Sequence, residues 1–245
     1  MASQLAFQQG GSDHGSSVEV LSMLPQALNQ EGMALYLTRR NSEAAARLWH
    51  EMLRLLLASS SAPSRPQLYF LSDLTTAAVM QQWPEDRVNW HRNTALLRLA
   101  KVVPWGKWRA LREALVALDK QKAAFLESHG PFLYLAALGT APAFRGCGLG
   151  SMLLDRLCRI ADQQQRFMYA EAACDSARAF LKCSGFFELL RHSVRPHAPN
   201  IYIMVRSPER PERSSGSGGK AREQAAGEQA AAQPRLRPSA SVRSR

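Results

Sequence analysis

A chain of 245 residues, 46% of them apolar, can bury one core of about 150–200 residues, and no stretch approaches the ~20 uninterrupted apolar residues of a membrane-spanning helix. The first twenty residues hold Asp13 and Glu19 but no Arg or Lys, which argues against a secretory signal or an Arg-rich transit peptide and makes a cytoplasmic location the expectation. The formal charge of +11 is shared between the tail after Arg206 and scattered positions such as Arg39–Arg40, Lys101, Lys107 and Arg112; without the aromatic interleaving of a base-stacking surface, nucleic acid is an unlikely partner.

Residues 1–17 are rich in Gly, Ser and Gln and are expected to be poorly ordered, with Gln4–Gln8 a weak candidate for a first strand. Val18, Leu21, Leu24 and Leu28 share a helical face. Asn41 or Ser42 is placed to cap a second helix over about Glu43–Ala58. Gln67–Leu74 and Ala77–Trp83 read as two strands joined by a tight connection, closed by Pro84. A helical pattern then runs from Val88 to about Ser128, broken at Pro104 and Gly106, and is clearest over Ala110–Leu126. This insert-like stretch carries Trp90, Trp105 and Trp108 and either roofs a site or packs as an extra layer, with its continuous apolar face favouring packing. Phe132–Leu138 is a strand, about Gly150–Gln164 a helix, Phe167–Ala172 a strand and Ser176–Lys182 a short helix. Phe186–Val194 and Ile201–Arg206 are terminal strands, and residues 207–245 have the composition of a disordered basic tail.

Cys147, Cys158, Cys174 and Cys183 form no C-x-x-C pair and have no histidine at zinc-ligand spacing, so free thiols and no metal site are expected, with Cys158 in the core.

The chemistry concentrates in Leu138–Leu154, LGTAPAFRGCGLGSMLL. Pro142 fixes the chain as it leaves the strand, and Gly146, Gly148 and Gly150 alternate with Cys147 and Leu149 before a helix. Glycines permit unusual backbone angles and close ligand approach, and a helix start presents unpaired N–H groups and a positive dipole end. Such a turn cradles phosphate, with Arg145 able to add a charged contact. The competing reading is a strand–turn–helix corner whose glycines serve packing alone. No G-K-[ST] ending and no G-x-G-x-x-G spacing is present.

Arg145, Gly148 and Gly150 spell R-x-x-G-x-G, which resembles the signature of the GNAT superfamily of acyl-CoA-dependent N-acyltransferases. The likeness extends over Phe132–Val205: YLAALGTAP is similar to that family's central strand, SMLLDRLCRIAD to the helix after it, and Gly185–Phe186 to its Gly-Phe turn. The resemblance implies an α+β fold, a mixed and mostly antiparallel sheet of six to seven strands flanked by helices, spanning residues 18–206. It implies acetyl-CoA as acyl donor. Leu138, Gly139 and Thr140 would supply backbone to the pantetheine arm where the central strand splays from its neighbour. The pyrophosphate would sit on Arg145, Gly146, Cys147, Gly148, Leu149, Gly150 and Ser151, and a strand N–H near Leu138 would face the developing oxyanion. The acceptor would be a small-molecule or peptide amine; oligomeric state is left open.

Two positions depart from the family pattern. Its frequent tyrosine acid, four residues before the Gly-Phe glycine, is Leu181 here, and a frequent asparagine is Cys174. Proton donation would then fall to water, to Ser176 or to no group, which leaves a catalytically silent acyl-CoA-binding module as the alternative. Glu171 is the candidate general base, against a plain ion pair with an arginine such as Arg178. Tyr134 and Tyr169 are expected as core aromatics with bonded hydroxyls, Cys147 as a small filler, and His192 and His197 at the surface.

Overall fold

The apolar run ahead of the glycine turn becomes the central strand of a seven-stranded sheet. The computed structural model describes residues 7–10, 14–58, 67–71, 73–88 and 93–209, within the unit Met1–Glu209. In chain order the elements are β1 (Phe7–Gly10), α1 (His14–Ala27), α2 (Gly32–Leu37), α3 (Ser42–Ala58), β2 (Gln67–Leu71) and β3 (Thr76–Trp83). There follow α4 (Asn93–Ala100), α5 (Trp108–His129), β4 (Phe132–Thr140), α6 (Leu149–Gln163), β5 (Met168–Ala172), α7 (Asp175–Cys183), β6 (Phe187–Ser193) and β7 (Asn200–Arg206). The sheet order is β1-β2-β3-β4-β5-β7-β6. Every pairing is antiparallel except β4 with β5, so the expected mixed, mostly antiparallel sheet is what forms.

Helices cover both faces. Leu153, Leu154, Leu157 and Cys158 of α6 and Leu181 of α7 pack with Leu133, Leu135, Met168 and Ala170 on one side. On the other, α1 and α3 bury Val20, Leu24, Leu53 and Leu56 against Leu68, Phe70, Ala77 and Val79. α5 adds Ala110, Leu111 and Leu115 to a helical layer and sets Phe125 against Trp83, Phe132 and Tyr169.

Several local details differ from the sequence expectation. Within the stretch 1–17, Phe7–Gly10 pairs with β2 as an edge strand and α1 starts at His14. An FQQG strand has no alternating pattern to reveal it. The short helix α2 has too little periodicity in its six residues to show in the sequence; it is held by Glu31, whose two carboxylate oxygens accept from the Met33 and Ala34 N–H groups at 3.0 and 2.7 Å. Asn41 does cap α3, accepting from Ala44 N–H at 2.9 Å. Trp90 and residues 210–245 of the expected tail lie outside the described residues. Among the described residues no helix is long and apolar enough to cross a membrane, and no three His, Cys, Asp or Glu side chains are grouped to hold a metal ion.

Candidate active site

The site begins with a pairing that stops. β4 is paired with β3 along its whole length, from Phe132 opposite Trp83 to Thr140 opposite Thr76. Its pairing with β5 covers only Leu133–Leu135. Beyond Leu135 the two parallel strands part, and Ala136–Thr140 have no partner in β5. At the same place the β3–β4 register slips between Val79 and Met80, so that Ala136 is the extra residue of a bulge. Ala136 and Ala137 therefore both pack toward the α1–α3 side, and Leu138 turns to the α6 side. Gly139 lies under α1, where a Cβ would stand 2.8 Å from Leu24 Cδ1 and 2.9 Å from Ala27 Cβ. Glycine lets the helix close onto the strand.

The turn after β4 is open. Pro142–Phe144 form one 3-10 turn, Ala141 N–H donates to the Thr75 carbonyl at 2.7 Å, and Pro142–Gly148 are all exposed. Gly146 and Gly148 have φ of +81° and +79°, the left-handed region, and an added Cβ at either would meet nothing within 4 Å. α6 then starts without a side-chain cap, so the N–H groups of Leu149, Gly150 and Ser151 are the unpaired donors of a first turn. Gly150 packs close to Thr140 Oγ1 and Phe180, at 3.3 and 3.6 Å from an added Cβ. Arg145 is used internally: Nη2 donates to the Ala27 carbonyl at 2.8 Å and Nε to the Thr140 carbonyl at 3.4 Å, tying the turn to the end of α1. Cys147 is exposed rather than a filler, and Cys158 is buried as expected.

On the α1–α5 side of the parting lies a cavity of about 150 Å³. Its walls come from α2, α3, α5, β3, β4, β5 and β7, and Ala136, the bulge residue, is among them. Most of the lining is apolar, including Leu37, Met52, Leu56 and Leu115. Against that background sits a buried polar cluster. Lys122 Nζ donates to Glu171 Oε1 at 2.6 Å and the Tyr134 hydroxyl donates to Glu171 Oε2 at 2.9 Å. The Lys122 ammonium also lies 4.4 Å from the Tyr134 ring centre. Burial, then the neighbouring Glu171 charge, pushes the Tyr134 hydroxyl well above its ordinary value, so it stays a donor at neutral pH. Glu31 is a second carboxylate on the wall; burial pushes it up against the pull of its two N–H bonds, and Glu171 adds repulsion. Asp119 completes the set, bonded to Arg87 at 3.2 Å.

The partner of Glu171 is thus Lys122, 49 residues away, and not Arg178, which bonds Glu188 at 2.5 Å. Tyr134 has its expected hydroxyl partner. Tyr169 does not: its buried hydroxyl has no hydrogen-bond partner among the described residues. Leu181 is buried in the α6–α7 core, so no proton donor stands there. Ser176 is exposed, with its hydroxyl 3.2 Å from Cys174 Sγ. α5 does pack as a layer, yet Leu111, Leu115, Leu118, Asp119 and Lys122 also line the cavity. Lys122 was the missed residue with a readable signal. It falls in the stripe Leu111, Leu115, Leu118, Phe125 at helical spacing, where a lysine needs a buried partner.

A model of the acetyltransferase (GNAT) family matches residues 81–186, the stretch that holds the parting, the glycine turn and most of the polar cluster. Over residues 81–186 the chain matches a GNAT-family acetyltransferase domain. Solved structures share the fold. A histone acetyltransferase HPA2 and related acetyltransferase from Corynebacterium glutamicum is 15% identical at TM-score 0.55, covering 84% of this chain and 99% of its own. A polyamine N-acetyltransferase of Drosophila melanogaster is 16% identical at TM-score 0.55, covering 82% and 100%. Arylalkylamine N-acetyltransferase 2 of Aedes aegypti is 11% identical at TM-score 0.54, covering 84% and 100%. At such identities the likeness is one of fold. No curated protein sequence matches the chain.

Proposed function

We propose that this GNAT domain transfers an acetyl group from acetyl-CoA to an amine seated in the cavity beside Ala136. The observation that carries the reading is the parting of β4 from β5 beyond Leu135, beside a turn of left-handed glycines with open space above them. The freed edge of β4 at Leu138, Gly139 and Thr140 is the backbone to hold the pantetheine arm. The N–H groups of Gly146–Ser151 are the donors to hold the pyrophosphate. The open turn fits such a group, since no side chain fills it. Bound acetyl-CoA supplies an activated acyl group.

The chain's own residues then have three tasks. A strand N–H near Leu138 offers the oxyanion a fixed donor. Apolar walls exclude water around the acceptor. Glu171 is the proton acceptor for the amine: Lys122 and Tyr134 take one bond on each oxygen and leave a lone pair on each. With Leu181 in the core, the leaving thiolate has no tyrosine donor; an ordinary thiol of pKa ~8.5 leaves without one.

Free-thiol release from acetyl-CoA, with a panel of amines, tests the reading. Amine-dependent release is expected. Acetyl-CoA binding by calorimetry with no release for any amine would reduce the domain to an acyl-CoA-binding module.

A further inference from the structure

The corner between α1 and α2 crosses the gap that opens between β4 and β5. On the β4 side, Leu24, Ala27 and Leu28 lie over Gly139, where the missing Cβ admits them. On the β5 side, a Cβ on Gly32 would collide with the Ala173 carbonyl, just past the end of that strand. Gly139 and Ala173 both stand beyond the last β4–β5 pair, Leu135 with Ala170. The chain turns between them on a bond from Glu31 N–H to the Leu28 carbonyl at 3.0 Å. A wall of the cavity follows at once, since Glu31, Met33, Ala34 and Leu37 all line it.

One side chain fastens this corner to the glycine turn. The last carbonyls of a helix have no partner within it, and the last turn of α1 has no basic residue of its own. Arg145 fills that place from the turn, with Nη2 donating to the Ala27 carbonyl at 2.8 Å. Its Nε reaches the Thr140 carbonyl at 3.4 Å, so the guanidinium bridges the end of β4 and the end of α1. Two of its nitrogens are thus committed to carbonyl oxygens, and the unpaired main-chain N–H groups are left for phosphate. Arg145 is exposed and adjoins the left-handed Gly146, so its grip depends on how well the turn is fixed. A ligand that fixes the turn firms the tie, and order gained at one site lowers the ordering cost at the other.

We infer that Arg145 is a positioning residue and not a phosphate ligand: it ties the donor turn to the α1–α2 corner, so that acetyl-CoA in the turn stiffens the acceptor wall. This rests on the reading of the turn as the donor site and adds a coupling between the two sites.

Hydrogen exchange read by mass spectrometry over residues 28–37 tests the tie. The wild type, Arg145→Ala and Arg145→Lys are compared with and without acetyl-CoA, and circular dichroism checks folding. In the free protein, Arg145→Ala is expected to speed exchange of this segment about five- to tenfold, the order of one charge-assisted hydrogen bond. Acetyl-CoA is expected to slow the segment in the wild type and to leave it unmoved in Arg145→Ala. Calorimetric affinities of the two proteins for acetyl-CoA should stay within about threefold. Arg145→Lys keeps a cation at the end of α1 and should recover part of both exchange effects. Unchanged exchange in folded Arg145→Ala would overturn the inference. So would a loss of acetyl-CoA affinity of about a hundredfold, the mark of a phosphate ligand, or a wild-type segment that bound acetyl-CoA does not slow. Failure of the donor reading shows separately, as no acetyl-CoA binding by the wild type; faster free-protein exchange in Arg145→Ala would then still uphold the tie, and unchanged exchange would overturn it.

Discussion

The glycine turn and the cavity are both built off β4, and they are built in opposite ways. The turn is local: seven consecutive exposed residues, Pro142–Gly148, with empty space beside the left-handed Gly146 and Gly148. The cavity is assembled from seven elements, closed by apolar side chains, and holds an ion pair buried between α5 and β5. Open backbone suits a flexible, highly charged ligand part that many chains must bind alike. Enclosed side chains suit a small acceptor that must be told from others. The two regions should therefore fail differently when altered.

The largest expected effect is at the buried pair. Lys122→Met leaves the Glu171 carboxylate buried without its cation and should cost about 3–5 kcal/mol in urea denaturation; Glu171→Leu, which strands the ammonium, should cost about as much. The double variant should recover most of the loss, because an apolar pair can replace a buried ion pair. A folded double variant without thiol release assigns Glu171 to the reaction, whereas full turnover assigns the pair to structure alone. Next comes a contrast between glycines. Gly139→Val forces a side chain into Leu24 and Ala27 and should cost roughly 2 kcal/mol through overpacking. Gly146→Ala meets no neighbour and should cost about 1 kcal/mol through its left-handed backbone alone. Equal losses would mean that α1 gives way easily and that the closed side is softer than described.

The smallest effect concerns the tie between α5 and the β6–β7 connection. Arg195 holds Glu113 by two bonds, at 2.6 and 3.0 Å, and Arg109 adds a third. The Arg195 bonds, opposed by some burial, bring the Glu113 carboxyl from 4.5 down to about 2. A depressed carboxylate contributes its stability in full above 4.5 and loses it as the pH falls through about 2. Glu113→Gln should flatten the acid limb of a melting-temperature profile over that window. At neutral pH it should lower Tm by no more than a few degrees, less in high salt, because the pair is solvated. An unchanged acid limb would show that this connection is not anchored by charge.

What the sequence made legible follows the same division. R-x-x-G-x-G, the strand before it and the helix after it lie within twenty residues, so spacing alone exposes them. Strands β2 to β7 and helices α3, α5, α6 and α7 carry period-2 or 3.6 patterns long enough to read. The bulge at Ala136 has no residue signature, since alanine suits either face of a strand. The bond between Lys122 and Glu171 joins residues 49 apart, and no local pattern reports a partner at that distance. Glu31 looks like a loop residue until its carboxylate is seen capping α2. Gln81 stands in a strand otherwise buried almost throughout, which marks it as unusual without saying what it serves.

The central claim is that the main-chain donors of the Gly146–Ser151 turn hold the acyl donor. Calorimetric titration of acetyl-CoA into the wild type and into Gly148→Val addresses it directly, with circular dichroism to confirm that both are folded. Measurable binding by the wild type and a loss of at least about a hundredfold in the variant is the predicted result, from a branched side chain placed where no atom now stands and a left-handed φ that valine resists. Equal affinity in two folded proteins would contradict the account.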